Sequence, residues 1–332
     1  MRIFLFKICK NLIFLAFLFD ILQADIKEEP KFKVFGMSPQ ITVLLQILYP
    51  QGLVGLNYTP RPEDKEFMPE NVAKLPVLGG TRNTEVSFEK LVALKPDFIF
   101  VAKNTPKHLI TAYEKHGIKI IELEIWDRQK LPQSISIIGK NLHIEQRASK
   151  LNAFLEKSQN LLLNLENKIL KRPSIYFAFG NDGLQTSCLD PKNEKEDLAF
   201  KIGGKNAITC SLLSSKQGLS SVNFEILLKL DPDLIFVREK RLYQELLNKP
   251  SKSWQNLSAI QNKKIYYAPS SPSNWLYRPP SILQSIGIPW AFSKVQPELL
   301  SENLAKELAQ EFFKLFFQEL SDEQYKALFL KN

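Results

Sequence analysis

The chain has 332 residues, 44% apolar and 24% charged, an ordinary globular balance and enough length for two domains of about 150 residues each. Its formal net charge of +9 is spread as Lys along mixed-charge faces without a dense basic run, which argues against a nucleic-acid partner and leaves anionic ligands open. C-x-x-C and clustered Cys/His zinc spacings are absent.

At the N-terminus, Arg2, Lys7 and Lys10 precede or interrupt an apolar run from Leu12 to Leu22, which closes on Gln23-Ala24. This pattern predicts a cleavable secretory signal over residues 1–24, with Ala24 the last residue removed. Asp20 and a span well short of about twenty apolar residues argue against a membrane anchor. Cys9 lies too early for lipid attachment at the cleavage point, so a soluble, exported mature protein is expected.

Beyond the signal, short apolar runs alternate with amphipathic segments, the pattern of an α/β protein with mainly parallel sheets. Phe32 to Phe35 reads as a strand ending at Gly36-Met37-Ser38-Pro39, and a helix follows from Ile41 to Tyr49. Leu53 to Leu56 reads as a second strand, ending at Asn57-Tyr58-Thr59-Pro60. Val77-Leu78 leads into the turn Gly79-Gly80-Thr81-Arg82-Asn83.

The segment Val86 to Val101, V-S-F-E-K-L-V-A-L-K-P-D-F-I-F-V, recurs without a gap as V-N-F-E-I-L-L-K-L-D-P-D-L-I-F-V from Val222 to Val237. Glu89 matches Glu225 and Pro96-Asp97 matches Pro232-Asp233. Two copies, rather than the three or more that a solenoid needs, predict two lobes of similar build. In each copy a polar N-cap (Ser87, Asn223) opens a helix with one apolar face, proline stops it, and an unalternating apolar run forms a strand covered on both faces.

Between the copies, Ile118 to Leu123 predicts a strand running into Trp126, and Asn141 to Leu170 predicts one uninterrupted helix of about 45 Å at ~1.5 Å per residue. Lys171-Arg172-Pro173 ends that helix, and Ser174 to Phe179 opens the second lobe. Lys264 to Ala268 reads as a further strand, and the tail from Glu302 to Leu328 as amphipathic helix. The expected organisation is a signal (1–24), a first lobe (25–140), a connecting helix (141–171) and a second lobe (172–332). Cleavage leaves two cysteines, Cys188 and Cys210, which in an oxidising compartment either close a disulfide or stand as two buried thiols.

A signal, two homologous α/β lobes and one long connecting helix together resemble the class III periplasmic substrate-binding proteins of ABC importers, the binders of cobalamin, ferric siderophores, haem and related metal complexes. The most specific matches are the two F-E-x-L-x-x-L-x-P-D units, Gly203-Gly204-Lys205-Asn206, and W-Q-N-L-S-A-I-Q-N-K-K-I-Y from Trp254 to Tyr266. The resemblance implies that Glu89 and Glu225 dock into arginine pockets of an inner-membrane permease; helix-dipole complementation is the alternative use of an acid there. It also implies a monomer without a cofactor of its own, with a bound metal complex as cargo.

The ligand is expected between the lobes, at the carboxyl ends of the parallel strands. That rule selects Tyr58, Arg82 and Trp126 from the first lobe and Arg238, Trp275, Tyr277 and Arg278 from the second, with Met37, Ser38, Asn104, Asn181 and Asn274 beside them. Aromatic rings suit flat chelators, and guanidinium groups pair with carboxylate or phosphate. Among the three histidines, only His108 is placed to complete the coordination of a chelated metal. An iron chelate is the expected cargo. A nickel or cobalt chelate, cobalamin or a metal oxyanion is the alternative, and a periplasmic enzyme on the same scaffold is the competing class. No G-x-S-x-G or H-E-x-x-H motif supports the enzyme.

Overall fold

The computed structural model describes residues 30–81, 85–127, 129–213, 219–277 and 280–330; Arg82, Arg278 and the expected signal segment lie outside them. The first lobe begins with β1 (Val34–Gly36), α1 (Pro39–Leu48), α2 (Pro62–Lys65) and α3 (Glu70–Ala73). The repeated unit supplies α4 (Phe88–Ala93) and β2 (Phe98–Ala102), followed by α5 (Lys107–Glu114) and β3 (Lys119–Leu123). The three strands form a parallel sheet in the order β1-β2-β3. Leu53 and Leu56, expected in a strand, make only isolated parallel bridges to Val34 and Val77.

Next come α6 (Leu131–Leu142) and the long α7 (Glu145–Glu166). The expected connecting helix from 141 is α7, which begins at Glu145; His143, in the left-handed region at φ 57°, separates it from α6. No Gly or Pro sits at the break. The hairpin is enabled upstream, where Gly139 meets Ala148 so closely that a Cβ on Gly139 would lie 2.6 Å from the alanine methyl. The strut is therefore 22 residues long, about 33 Å at ~1.5 Å per residue.

The second lobe runs through β4 (Ser174–Ala178), β5 (Gln185–Thr186), α8 (Leu198–Lys201), β6 (Lys205–Asn206), β7 (Ser220–Ser221) and the second repeated unit, α9 (Phe224–Leu230) and β8 (Leu234–Val237). It continues with α10 (Lys240–Asn248), α11 (Ser258–Gln261), β9 (Ile265–Tyr267) and α12 (Gln284–Val295). Its parallel sheet has the order β6-β4-β8-β9, with β5 and β7 forming a small antiparallel ribbon. Cys188 and Cys210 are joined in a disulfide.

The repeat strands β2 and β8 are buried on both faces, as their unalternating apolar runs predict. Phe98 and Phe100 enter one core cluster while Ile99 and Val101 enter another. In β8, Ile235 and Val237 separate from Leu234 and Phe236 in the same way. The conserved geometry of the two repeat copies explains their shared polar residues. Lys95 and Asp231, each just before the proline, both take positive φ and end their helices. Asp97 then accepts the backbone N–H of Lys33 at 2.7 Å, and Asp233 accepts that of Ser174 at 2.7 Å. Each aspartate thus fixes the start of the neighbouring strand. Of the two expected caps, Asn223 accepts the Glu225 N–H, whereas Ser87 occupies the N-cap position without a side-chain cap bond.

The tail folds as α13 (Glu302–Phe316) and α14 (Asp322–Leu330). Phe312, Phe313 and Phe316 bury in the cluster that also holds α1 and the first face of the first sheet. The chain therefore returns from the second sheet to pack on the first lobe. Ser158 of α7 donates to the Ser285 carbonyl of α12, and Lys157 pairs with Glu311 of α13.

Candidate ligand cleft

A cleft of about 360 Å³ opens where the strand ends of the two sheets face each other, within the range of small-ligand sites. From the first lobe it is lined by Pro39, Gln40 and Val43 at the start of α1 and by Tyr58, Arg61 and Asp64. From the other side come Arg238, directly after β8, Tyr267 at the end of β9, and the loop that follows, including Ser270, Ser273, Asn274 and Tyr277. Topology accounts for this wall: parallel strands β8 and β9 release their loops at one end of the second sheet, and β1 leads into α1 at the carboxyl end of the first.

Of the residues selected from sequence, Tyr58, Arg238 and Tyr277 line the cleft. Burial pushes the Tyr58 hydroxyl above its ordinary pKa, partly offset by its hydrogen bond with Ser273. Tyr277 is nearly buried, and its hydroxyl donates to the Val237 carbonyl at 3.0 Å. Burial raises its pKa as well, so Tyr277 is a neutral wall. Asn274 spends its amide on its own turn, accepting from the N–H groups of Leu276 and Tyr277.

Arg238 is exposed, with its guanidinium 5.8 Å from the Phe179 ring, and it has no carboxylate within ion-pair distance among the described residues. Its neighbour Glu239 has a carboxyl raised by burial, against the lowering effect of the Gly180 N–H and of Arg238. The cleft wall therefore combines the Arg238 guanidinium with tyrosine and serine residues.

The structure corrects one expectation and places two other expected residues away from the cavity wall. Trp275 is not a ligand contact: it is 0% exposed, donates its indole N–H to the Ser271 carbonyl, and packs against Phe313 and Phe329. Its position after a strand end satisfies the pocket rule, but the C-terminal helices claim the ring. Trp126 is 52% exposed on the loop after β3 and does not line the described cavity wall. His108 is exposed in the first turn of α5, and no group of three or more His, Cys, Asp or Glu suited to a metal occurs among the described residues. The expected role of His108, completion of a chelated metal's coordination, does not call for such a group.

Arg61 and Asp64 were not legible as site residues. Arg61 Nε and Nη2 donate to the two Asp64 oxygens at 2.9 and 2.7 Å, and this hydrogen bonding holds the guanidinium further above its ordinary pKa. An Arg three residues before an Asp at a proline-started turn suggests a local pair; nothing local shows that it faces a cleft.

Two sheets of parallel strands bridged by a long helix, with a cleft between their strand ends, define a two-lobed solute-binding protein. The sequence profile described as Periplasmic binding protein matches residues 43–272, and the chain belongs to that family, in the class III group that serves ABC importers. It is similar in structure to an ABC transporter solute binding protein from Sulfurospirillum deleyianum, with 30% identity, a TM-score of 0.77, and coverage of 92% of this chain and 95% of that one. It is 21% identical to the molybdate-binding protein MolA of Haemophilus influenzae over 70% of each chain. To the Fe(3+)-citrate-binding protein YfmC of Bacillus subtilis it is 24% identical, over 73% of this chain and 76% of that one. All three are named as binding proteins. Among the described residues no helix is long and apolar enough to cross a membrane.

Proposed function

We propose that the exported chain, cleaved after Ala24, captures a small anionic metal chelate, foremost an iron chelate, in the cleft and delivers it to an inner-membrane ABC permease. The observation that carries this reading is a cavity of about 360 Å³ whose wall combines Arg238 with the hydroxyl groups of Tyr58, Ser270 and Ser273. Four oxygens of a bare oxyanion occupy on the order of 100 Å³, counting about 30 Å³ for each water-sized group. A chelate carrying several carboxylates fills more of the space and offers more acceptors to Arg238 and the hydroxyls. Similarity to a ferric-citrate binder supports this cargo; similarity to a molybdate binder supports a metal oxyanion as the second reading.

Glu89 and Glu225 are both exposed, in the first turns of the matching helices α4 and α9. They suit a permease that engages one acid on each lobe. The protein carries its cargo as a monomer, with no resident cofactor, and Arg82 and Arg278 remain candidates for further anion contacts.

Calorimetric titration of the mature protein with ferric citrate, a nickel–histidine chelate and molybdate tests the proposal. Arg238→Gln should weaken binding of the preferred anion about 10- to 100-fold, as expected for loss of a charged hydrogen bond of roughly 1.5–3 kcal/mol. Absence of binding to all three, or full affinity in Arg238→Gln, would overturn it.

A further inference from the structure

The loop that leaves β9 and lines the cleft is held by the first lobe at several points. Arg61 Nη2 donates to the Ser270 carbonyl at 2.8 Å and to Ser270 Oγ at 3.1 Å. Ser271 Oγ donates to Asp64 Oδ1 at 2.8 Å. Tyr58 reaches Ser273 of the same loop. Ser270 Oγ also lies 2.9 Å from the Tyr267 hydroxyl, so both ends of the contact are tied down.

The pair at the centre is unusual for a cleft wall. The Asp64 side chain is only 4% exposed, whereas that of Arg61 is 44% exposed. A buried carboxylate needs both a counter-ion and hydrogen-bond donors, and Asp64 takes them from both lobes: Arg61 from its own and Ser271 from the other. Arg61 in turn has Nε and Nη2 committed, and its Nη1 faces Glu63 at 3.6 Å. A second, smaller cavity of about 70 Å³ adjoins Arg61, Ser270 and Ser271. The contact therefore borders both cavities.

We infer that Arg61 and Asp64 form an inter-lobe clasp, with Asp64 the positioning residue that aims the Arg61 fork at Ser270 and receives Ser271, and that Arg61 is not a ligand contact. The clasp fixes the width of the cleft before cargo arrives and cancels the Arg61 charge, leaving Arg238 to engage the anion. The fork geometry matters as much as the charge, because a lysine cannot bond Asp64 and Ser270 with one planar group. The inference goes beyond the cargo reading and does not depend on which cargo binds.

The test uses ligand-free mature protein spin-labelled at Lys107→Cys and Arg241→Cys, on the first turns of α5 and α10, with the native disulfide intact. Pulsed dipolar spectroscopy should give a narrow distance distribution for the parent. Asp64→Asn and Arg61→Lys should each broaden it toward longer distances by several ångströms, the response of a released hinge. Ser270→Ala with Ser271→Ala removes only the cross-lobe side-chain partners and leaves the Arg61–Asp64 pair whole. It should broaden the distribution, at a urea midpoint lowered only by the lost Ser271 bond to Asp64, and it keeps the bond from Arg61 to the Ser270 carbonyl. If Asp64→Asn does not fold, Arg61→Lys and the serine double variant decide. Distributions as narrow as the parent's in both overturn the clasp.

Discussion

Replacing Trp275 with alanine separates a core role from a ligand role. An indole buries roughly 200 Å², and at about 25 cal/mol per Å² its full removal from water contributes about 5 kcal/mol, an upper bound because the unfolded chain is partly collapsed. The ring is 0% exposed and lies against Phe313 and Phe329 of the returning tail. Large-to-small changes at such sites cost about 3–5 kcal/mol, and the orphaned Ser271 carbonyl adds ~1 kcal/mol. We expect Trp275→Ala to lose about 4 kcal/mol, measured by urea unfolding followed by far-ultraviolet circular dichroism. Trp275→Phe retains much of the packing and loses the indole N–H, so it should lose about 1–2 kcal/mol. An alanine variant with the parent's midpoint but weakened binding of ferric citrate or molybdate would refute the core assignment.

The remaining predictions concern other parts of the frame. Burial works upward on the Asp233 carboxyl, but the N–H and O–H of Ser174, with Lys171 and Lys264, hold it below the ordinary carboxylate range. Its contribution is therefore complete above the unfolded value of about 3.9 and is lost as pH falls through the lower folded value. Asp233→Ala should cost about 1 kcal/mol at pH 7, and the gap to wild type should close in acid unfolding curves; a pH-independent gap would contradict the assignment. Reduction of Cys188–Cys210, separated by 22 residues, should remove about 3 kcal/mol, read as a lower urea midpoint with dithiothreitol. Glu89→Arg and Glu225→Arg should leave ferric citrate or molybdate titrations unchanged and abolish cellular uptake of the same compound. Normal uptake by the double variant would exclude the docking role.

Much of the frame was legible because its determinants are local. The helix–proline–strand unit declares its apolar face, its stop and its doubly buried strand within sixteen residues, and β2 and β8 fall where that unit places them. Strand-end loops likewise brought Tyr58, Arg238 and Tyr277 to the cleft. The misreadings arose where distant segments decide. The connecting helix starts four residues later than expected, because His143 turns the chain and Gly139 lets α6 and α7 approach. Trp275 is taken by Phe313 and Phe329 from the returning tail, a contact that no local pattern announces. Arg61 and Asp64 act through serines more than two hundred residues away in the chain.

Native mass spectrometry of the protein isolated from its own periplasm tests the central claim most directly. The account predicts a fraction of wild-type molecules carrying a metal together with an anionic organic chelator, and loss of that added mass in Arg238→Gln. A retained ligand without metal, or the same added mass in the Arg238→Gln variant, would contradict it.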